Sequence, residues 1–468
     1  MPHPAPHLRA HAPLLSAAGY AFLRQMTEHP HAPPWNYPCG DRLRDGDVVR
    51  VDRFRDRLVE GRTAREGDTP PLALLAWVLE RRAMTPRFRA VIPDGVASPD
   101  ALARHWAAIP TTGRHDLATD LTALVPDDAD LDRMVVYATS GTTGHPIQIP
   151  SDPVSAACYL PLLELSLRLH GAPLDPQPGQ MANALLCAQR HTVTYASVLT
   201  PWREAGHVKV NLDAAAWHAP GDAAAYLAHF APPLLTGDPF SFAAAMRLDP
   251  GYTPAALVST AVALSDGLRD RLRVHFGCPV IDWYSLNETG PLAVACPLGH
   301  GHHVLPHDVF VEVVDDDGAP VAAGVRGEVV VTGGRNPFLP LLRYRTGDHA
   351  ALDAAPCPCG DPMPRLVGLE GRAPVHFEAA DGTPVNPVDV SRVLRPFPLV
   401  RHRLVQHADR TCTLTLQGLG AGPSPVAVEA ALRGLFGEVG LRIEGAPGGW
   451  AEEGKGVPYE SALQPGGA

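Results

Sequence analysis

Residues 135–150 read VVYATSGTTGHPIQIP, and this stretch decides the class of fold. A short run of β-branched and aromatic residues opens into Thr139-Ser140-Gly141-Thr142-Thr143-Gly144. The two glycines let the backbone bend close to a ligand, and the four hydroxyl side chains and successive backbone N–H groups offer donors to phosphate oxygens. The Gly-Lys-Ser/Thr ending of a P-loop is absent from it. The stretch therefore predicts a phosphate-binding loop that follows a strand.

Further along the chain, strand-like runs alternate with glycine turns and helical segments, and residues 71–84 before the loop have helical periodicity. This alternation predicts an α/β fold in which most of the large sheet is parallel. The candidate strands are 134–137, 182–187, 233–235, 256–259 and 279–282.

After Val304 the pattern changes to alternating β-type runs at 309–314 and 327–331, with Asp-Gly and Gly-Gly turns that predict antiparallel hairpins or a small barrel. We expect residues 1–372 to form an N-terminal core with a β-rich subdomain at 304–372. Residues 373–468 are expected to form a small α+β lid domain with a helix at 426–436. The first 35 residues are rich in proline and histidine, and we expect them to be poorly ordered.

The composition and charge of the chain limit the kinds of partner that it is expected to bind. The chain has 468 residues, of which 45% are hydrophobic and 19% charged, and it contains no apolar run long enough for a membrane span. The net charge of −11 comes without a basic block, which argues against nucleic acid. We expect a cytoplasmic enzyme that acts on a small molecule; the sequence does not indicate its oligomeric state. Only Lys209 and Lys455 are lysines among the 39 basic residues.

Two further motifs follow the phosphate loop: 282–290, DWYSLNETG, and 344–348, YRTGD. In order and spacing, the three motifs resemble those of the adenylate-forming superfamily, which includes acyl-CoA and aryl-CoA synthetases, adenylation domains and luciferase. The lead-in at 107–117 and the Cys/His segments described below resemble the phenylacetate-CoA ligase branch. The resemblance covers roughly residues 70 to 460.

The resemblance implies that ATP and Mg²⁺ activate a carboxylic acid as its adenylate and that coenzyme A then takes the acyl group, with an aryl or arylalkyl acid as substrate. Alternatives are transfer to a carrier protein, an amine or another nucleophile, or a nucleotide-binding scaffold without turnover. Lys455, Glu288 and Thr143 are implied to be catalytic, with Glu288 as the Mg²⁺ ligand. The implied nucleotide-binding residues are Thr139, Ser140, Gly141, Thr142, Gly144, Tyr284, Asn287, Asp348, Arg365 and Arg372, and a substrate pocket is expected at His191, Tyr195 and Ala261.

Several positions depart from the pattern of the family. Asn287 stands where relatives often have threonine, Ile147 where many have lysine, and Val262 where glutamate is common. At the hinge expected after Gly371-Arg372, Pro374 follows Ala373 where many relatives carry an acidic residue. A proline fixes φ and restricts the residue before it, so this hinge is expected to be displaced or stiffened.

Cysteine and histidine residues form a separate group: Cys296, the segment His300-Gly301-His302-His303, and the pair Cys357 and Cys359 in Cys-Pro-Cys-Gly. Thiolates and imidazoles are the ligands that zinc prefers, and a closed four-ligand site is structural rather than catalytic. The pattern predicts a structural zinc site. The spacing in similar proteins implies that His303 is the ligand, with His300 and His302 as alternatives.

Overall fold

The computed structural model describes residues 10–60, 70–138, 147–189, 192–306, 308–371, 377–385, 390, 393–418, 424–445 and 459–463. None of the described helices is both long and apolar enough to cross a membrane. The helices are α1 (Ala17–Thr27), α2 (Asp47–Glu60), α3 (Leu72–Arg82), α4 (Pro86–Val91), α5 (Pro99–His105), α6 (Arg114–Thr119), α7 (Pro153–Ala157), α8 (Tyr159–Leu169), α9 (Asp222–Phe230), α10 (Pro239–Leu248), α11 (Asp266–Phe276) and α12 (Pro425–Phe436).

Twenty strands are described, and twelve of them form one sheet in the order β11-β12-β13-β14-β10-β9-β8-β7-β6-β3-β5-β4. The strands are β1 (Val135–Ala138), β2 (Gln148–Ser151), β3 (Met181–Cys187), β4 (Tyr195–Leu199), β5 (Ala205–Asn211), β6 (Leu234–Gly237), β7 (Ala256–Thr260), β8 (Val280–Leu286), β9 (Gly290–Ala295), β10 (His302–Val304), β11 (Val309–Val314), β12 (Arg326–Gly333), β13 (Leu341–Asp353), β14 (Arg365–Gly371), β15 (Phe377–Glu378), β16 (Pro384–Val385), β17 (Leu399–Gln406), β18 (Cys412–Gly418), β19 (Leu441–Gly445) and β20 (Tyr459–Ser461).

The parallel part of this sheet consists of β5, β3, β6, β7 and β8. The predicted strands at 182–187, 256–259 and 279–282 coincide with β3, β7 and β8, and the one at 233–235 overlaps β6, so the α/β prediction is confirmed. Helices α9, α10 and α11 contribute apolar side chains to the core on one face. Helices α2, α7 and α8 do so on the other face, which buries both sides of the parallel strands as such sheets require.

The first predicted strand does not join this sheet. Strand β1 pairs antiparallel with β2, with Ala138 opposite Gln148. Placing the 134–137 run in the parallel series was therefore wrong. The connection across residues 139–147 is too short for a crossover to a parallel neighbour, which needs about a dozen residues or more. In the sequence, the phosphate-loop motif thus lies between two strands that pair antiparallel.

The other half of the sheet is antiparallel, from β9 to β11, and it includes the predicted strands at 309–314 and 327–331. It begins at Gly290 and is hydrogen-bonded to the parallel half, because β8 pairs with β9. Four strand spacings separate β8 from β13, about 19 Å in a flat sheet. The hydroxyl of Tyr284 on β8 nevertheless lies 2.7 Å from the Asp348 carboxylate on β13. The sheet must therefore curl, and apolar residues of β9 to β14 fill the inside of the curl.

The C-terminal segment forms a second sheet, β19-β18-β17-β20, covered by α12. Helix α12 confirms the predicted helix at 426–436, and the apolar core of this segment comes entirely from residues 377–459. The segment contacts the start of α11, where the Gly267 N–H donates to the Arg395 carbonyl oxygen at 2.9 Å. A Cβ atom at Gly267 would lie 2.4 Å from the carbonyl carbon of Phe397, so only glycine allows this approach. The boundary predicted at residue 372 falls outside the described residues and stays a prediction.

The N-terminal segment packs against the sheet from residue 10 onward. Phe22, Leu23 and Met26 on α1 are buried in the core shared with β4 and β5. Gly206 on β5 permits this contact, since a Cβ there would lie 2.6 Å from the Met26 sulfur. The expectation of a poorly ordered start was therefore wrong for residues 10–35. The reason is that a short apolar helix lies within this segment, whose proline and histidine content is concentrated on either side of the helix.

Candidate functional site

Some of the predicted site residues lie outside the described part of the chain, and their roles stay predictions. They are the loop residues Thr139, Ser140, Gly141, Thr142, Thr143 and Gly144, together with His191, Arg372, Pro374 and Lys455. The other predicted residues are described below.

The first pair joins two of the sequence motifs. Tyr284 near the end of β8 donates its hydroxyl to Asp348 Oδ2 at 2.7 Å. Burial raises the pKa of Tyr284 well above its usual value, and the Asp348 carboxylate raises it further. The irregularity of β13 before Asp348 is held by Gly347, whose N–H donates to Glu328 Oε1 at 2.9 Å and whose φ is +79°. The phenol is therefore protonated at neutral pH and orients the carboxylate.

A second carboxylate, Glu288, lies in the tight turn between β8 and β9 and is only 8% exposed. Its Oε1 accepts a hydrogen bond from the Tyr344 hydroxyl at 3.2 Å and lies 3.6 Å from Nη1 of Arg114. Among the described residues, none bonds the other oxygen, Oε2. Gly290 makes the turn possible, since its φ is +71° and a Cβ there would lie 2.4 Å from the Tyr159 ring. Asn287, the departure from the family pattern, is exposed.

Arg114 reaches Glu288 because the segment before it is fastened to β13. Arg343 on β13 is 1% exposed and pairs with Glu312, with Nε 3.0 Å from Oε1. The same guanidinium donates to the carbonyl oxygen of Ile109 at 2.7 Å. Thr112 then donates its hydroxyl to the Leu342 carbonyl oxygen at 2.9 Å. A buried charge pair whose remaining donors are satisfied by backbone carbonyls is costly to break, so it holds residues 106–112 in one place.

Sequence reasoning did not assign a role to Arg114, Tyr344 or Arg343. The lead-in at 107–117 and the motif at 344–348 were recognised, but no spacing indicates which of their side chains meet Glu288. The arrangement places two carboxylates, each bonded by a tyrosine hydroxyl, next to the hairpin that carries the hydroxyl-rich loop. Such carboxylates can accept hydrogen bonds from a sugar or bind a hard cation.

The Cys/His cluster lies beside β10, at the end of β9 that is farther from Glu288. Ligand atoms of Cys296, His303, Cys357 and Cys359 all lie within 4.8 Å of one another. The sulfurs of Cys296 and Cys357 are 3.6 Å apart, and the Cys359 sulfur is 3.2 Å from His303 Nε2. A tetrahedron with zinc–sulfur bonds of about 2.3 Å has sulfur–sulfur edges of about 3.8 Å, so the donor set suits that ion.

The structure decides among the three histidines. His303 Nδ1 lies 3.1 Å from the Met363 carbonyl oxygen, which leaves Nε2 facing the sulfurs. His302 instead points to the other side of β10, where its Nε2 lies 3.2 Å from Asp282. Neighbouring residues of a strand point to opposite faces, and this alternation separates them. His300 is not a member of the cluster.

The structure does not support Arg365 as a nucleotide-binding residue. Its guanidinium pairs with Asp353 and lies 3.7 Å from the Cys357 sulfur. Arg365 opens β14 opposite His303, so the strand register places it at the Cys/His cluster. The nucleotide-binding role of Arg365 was assigned by resemblance alone, and the pairing of β14 with β10 is the reason for this correction.

The expected pocket residues Tyr195 and Ala261 lie apart in the sheet. Tyr195 begins β4, at the edge, whereas Ala261 follows β7, and three strands lie between them. A pocket shared by these two residues stays a prediction. Ala261 has φ of +72°, a strained conformation for alanine.

Comparison with solved structures identifies the class of fold. A 2-hydroxyisobutyryl-CoA ligase in the postadenylation state, in complex with R3-HIB-AMP, superposes with a TM-score of 0.59 at 17% identity, over 84% of this chain and 90% of that chain. The chain therefore shares the fold of this ligase, in agreement with the fold that the three motifs predicted.

Two sequence relatives are consistent with this fold. The phenylacetate-coenzyme A ligase of Thermus thermophilus is 36% identical over 101 residues, 21% of this chain and 22% of that protein. Protein CapK of Staphylococcus aureus is 28% identical over 110 residues, 23% of this chain and 22% of that protein. Each match thus spans about a fifth of the relative's length. No protein-family model matches the chain.

Proposed function

We propose that this protein is an AMP-forming acid–thiol ligase. It couples a carboxylic acid to ATP as an acyl-adenylate and then transfers the acyl group to coenzyme A. The observation that supports this most is that two motif carboxylates, Asp348 and Glu288, each accept from a buried tyrosine hydroxyl and both act electrostatically on Tyr284 and Tyr344. The similarity to a phenylacetate-coenzyme A ligase favours an aryl or arylalkyl acid as substrate.

In the first half-reaction the substrate carboxylate oxygen attacks the α-phosphorus of ATP, and pyrophosphate leaves. Asp348 would accept from the ribose hydroxyls, because a carboxylate can take two hydrogen bonds at once. Tyr284, anchored by its hydroxyl, would present its ring face to the adenine. The loop at 139–144 would hold the β- and γ-phosphates, and Lys455 would neutralise charge at the α-phosphate.

Glu288 is the proposed Mg²⁺ ligand. Mg²⁺ prefers hard oxygen donors and takes few of them from the protein, so one carboxylate oxygen beside the triphosphate suffices. Oε1 is engaged by Tyr344 and Arg114, which leaves Oε2 as the donor. Bound Mg²⁺ would shield triphosphate charge, and Arg114, 3.6 Å from Oε1, would orient the carboxylate.

In the second half-reaction the thiolate of coenzyme A attacks the acyl carbon and AMP leaves. A carrier-protein thiol or an amine remains the alternative acceptor. The solved ligase of similar fold is in complex with R3-HIB-AMP, which supports the proposal of an adenylation half-reaction. Coenzyme A as the acceptor is supported only by the similarity to CoA ligases. A scaffold without turnover is less consistent with two motif carboxylates that keep their tyrosine partners.

Pyrophosphate release with ATP and a panel of aryl acids, assayed with and without coenzyme A, tests the proposal. Acid-dependent release that rises with coenzyme A, together with thioester product, supports the ligase. Release without any thioester indicates another acceptor. Failure of all acids to stimulate release or ATP–pyrophosphate exchange would contradict adenylation.

Substitution of Tyr284 should mainly affect nucleotide binding, and substitution of Tyr344 should mainly affect metal binding. Tyr284→Phe removes the donor to Asp348, and we expect the KM for ATP to rise about 10- to 100-fold, the value of a hydrogen bond to a charged group. Tyr344→Phe removes the donor to Glu288, and we expect a higher Mg²⁺ requirement with a smaller change in the KM for ATP. Initial rates over a matrix of ATP and Mg²⁺ concentrations measure both. Identical effects of the two variants would contradict the assigned roles.

We also propose that Cys296, His303, Cys357 and Cys359 hold a structural Zn²⁺. The closed set of four ligands leaves no position for substrate, and the site ties β10 to the loop before β14. Protein purified without chelator should contain about one zinc per chain, because binding free energy at such a site is folding free energy.

Neighbouring histidines provide the matched test of this site. His303→Ala should abolish zinc binding and lower the unfolding temperature by several degrees, since one ligand is lost. His302→Ala, which removes the partner of Asp282, should keep the metal. Elemental analysis and thermal unfolding of both variants decide the matter. Zinc retained in the His303 variant, or metal-free wild type with the same stability, would contradict the site.

A further inference from the structure

Polar side chains share one face of the sheet at β3, β4 and β5, and no role has been assigned to them together. Lys209 on β5 pairs in register with Tyr195 on β4, so both side chains point to the same face. His207 lies two residues before Lys209 and also points there. The intervening Val208 and the following Val210 are buried on the other face, in the main core. We call Tyr195, His207 and Lys209 the lysine face.

The lysine face is built around an oriented imidazole. The Asn183 amide nitrogen, a donor, lies 3.1 Å from His207 Nδ1. The amide is itself oriented, because its oxygen accepts from the Thr236 hydroxyl at 3.2 Å. His207 Nδ1 is therefore the acceptor, and the ring proton resides on Nε2. Burial, and then Lys209, lower the pKa of His207 to about 4, so the ring is neutral at neutral pH and donates from Nε2.

The ammonium of Lys209 has no counter-ion among the described residues. The side chain is half-buried, and within that part of the chain it has neither a hydrogen bond nor an ion pair. The thiols that act on it electrostatically, Cys39 and Cys187, are neutral at pH 7 because burial raises their pKa values, that of Cys39 to about 11. A half-buried cation without an anion costs free energy, and a ligand anion can offset that cost.

An aromatic rim adjoins the lysine face. The Tyr37 ring lies 6.4 Å from the Tyr195 ring, and both Tyr37 and Tyr137 are more than 40% exposed. The 34–37 segment is fixed along β4, since the Thr194 N–H donates to the Asn36 side-chain oxygen at 2.7 Å. Tyr137 on β1 is two residues before the phosphate-loop motif, and it adds, after burial and Cys39, to the rise in the pKa of Tyr195. The lysine face thus lies near the base of the hairpin that carries this motif.

We infer that Lys209 is a specificity-determining residue that binds a second anionic group, most simply a carboxylate, of the acid to be activated. The inference rests on the proposed function and specifies its substrate class as acids with two anionic groups. The reacting carboxylate would lie toward the phosphate loop, and the second one would meet the ammonium of Lys209 with the His207 N–H as a further donor. The tyrosines would contact the carbon skeleton between the two groups.

Acid-dependent ATP–pyrophosphate exchange with matched acids tests this inference. The pairs are phenylacetate with 4-carboxyphenylacetate, and hexanoate with adipate. We expect the wild type to prefer the diacid of at least one pair in kcat/KM. Lys209→Met, which keeps the chain length and removes the charge, should lower the diacid-to-monoacid ratio about 10- to 100-fold, the value of a charge-assisted hydrogen bond. Lys209→Arg should retain most of the ratio, because the charge is kept.

A second measurement needs no turnover. The preferred diacid should raise the thermal unfolding temperature of the wild type and of Lys209→Arg, and should lose this effect in Lys209→Met. If monoacids support exchange and Lys209→Met does not change the diacid-to-monoacid ratio of kcat/KM, the inference is overturned. The proposed function then stays intact. Exchange with none of the acids, and no stabilisation by any of them, would overturn both.

Discussion

Glu288→Gln should reduce adenylate formation about 100-fold or more at saturating ATP, because an amide is a poor ligand for Mg²⁺ and several kcal/mol of charge stabilisation is lost with the metal. The substitution keeps the size of the side chain, and the amide oxygen can still accept from Tyr344. The fold should therefore survive. ATP–pyrophosphate exchange at increasing Mg²⁺ concentrations measures the loss, and partial recovery at high Mg²⁺ is expected.

Glu164→Gln is the matched control for this variant. Glu164 is also 8% exposed and also pairs with an arginine, Arg55, and it accepts a hydrogen bond from the Trp202 indole. It lies on α8, and neither Arg55 on α2 nor Trp202 belongs to any of the motifs. This control should lose stability comparably and keep its Mg²⁺ dependence. Wild-type exchange and an unchanged Mg²⁺ requirement in Glu288→Gln would contradict the metal-ligand role.

Lys455→Ala should slow adenylation by about 100- to 1,000-fold, since a cation at the α-phosphate acts mainly in the transition state. Lys455 is one of only two lysines in the chain and lies in the Gly-Lys-Gly element that resembles the C-terminal element of the superfamily. The resemblance implies that this lysine serves the first half-reaction. Thioester formation from supplied acyl-adenylate should therefore decline much less than pyrophosphate release.

Comparison of the two half-reactions shows whether the effect of Lys455→Ala is specific to adenylation. Lys455→Arg keeps the charge but not the compact ammonium, and it should fall between wild type and alanine. A well-folded Lys455→Ala protein that releases pyrophosphate at the normal rate would remove this residue from the catalytic set. Equal loss in both half-reactions would indicate a structural role.

Local sequence patterns predicted strands and helices correctly where the length of the connection between two strands decides how those strands pair. The parallel strands β3, β6, β7 and β8 were predicted because each is a short apolar run, and β6 and β7 each lead into a helix, a unit that packs in one way. Strand β1 looked the same in sequence, yet a connection too short for a crossover paired it with β2. Helix α1 was missed because proline and histidine flank it, while its apolar face is decided by contact with β4 and β5.

For the site, the sequence by itself determined the chemistry: motifs that contain Tyr284, Glu288 and Asp348, and the Cys/His donor set. Only the tertiary structure decided which residues meet. The curl of the sheet brings β8 to β13, the buried Arg343 pair places Arg114 at Glu288, and strand alternation selects His303 over His302. Residue type and spacing carry the donor and acceptor chemistry of a segment, whereas contacts between segments far apart in sequence depend on strand order and curvature, which no local pattern encodes.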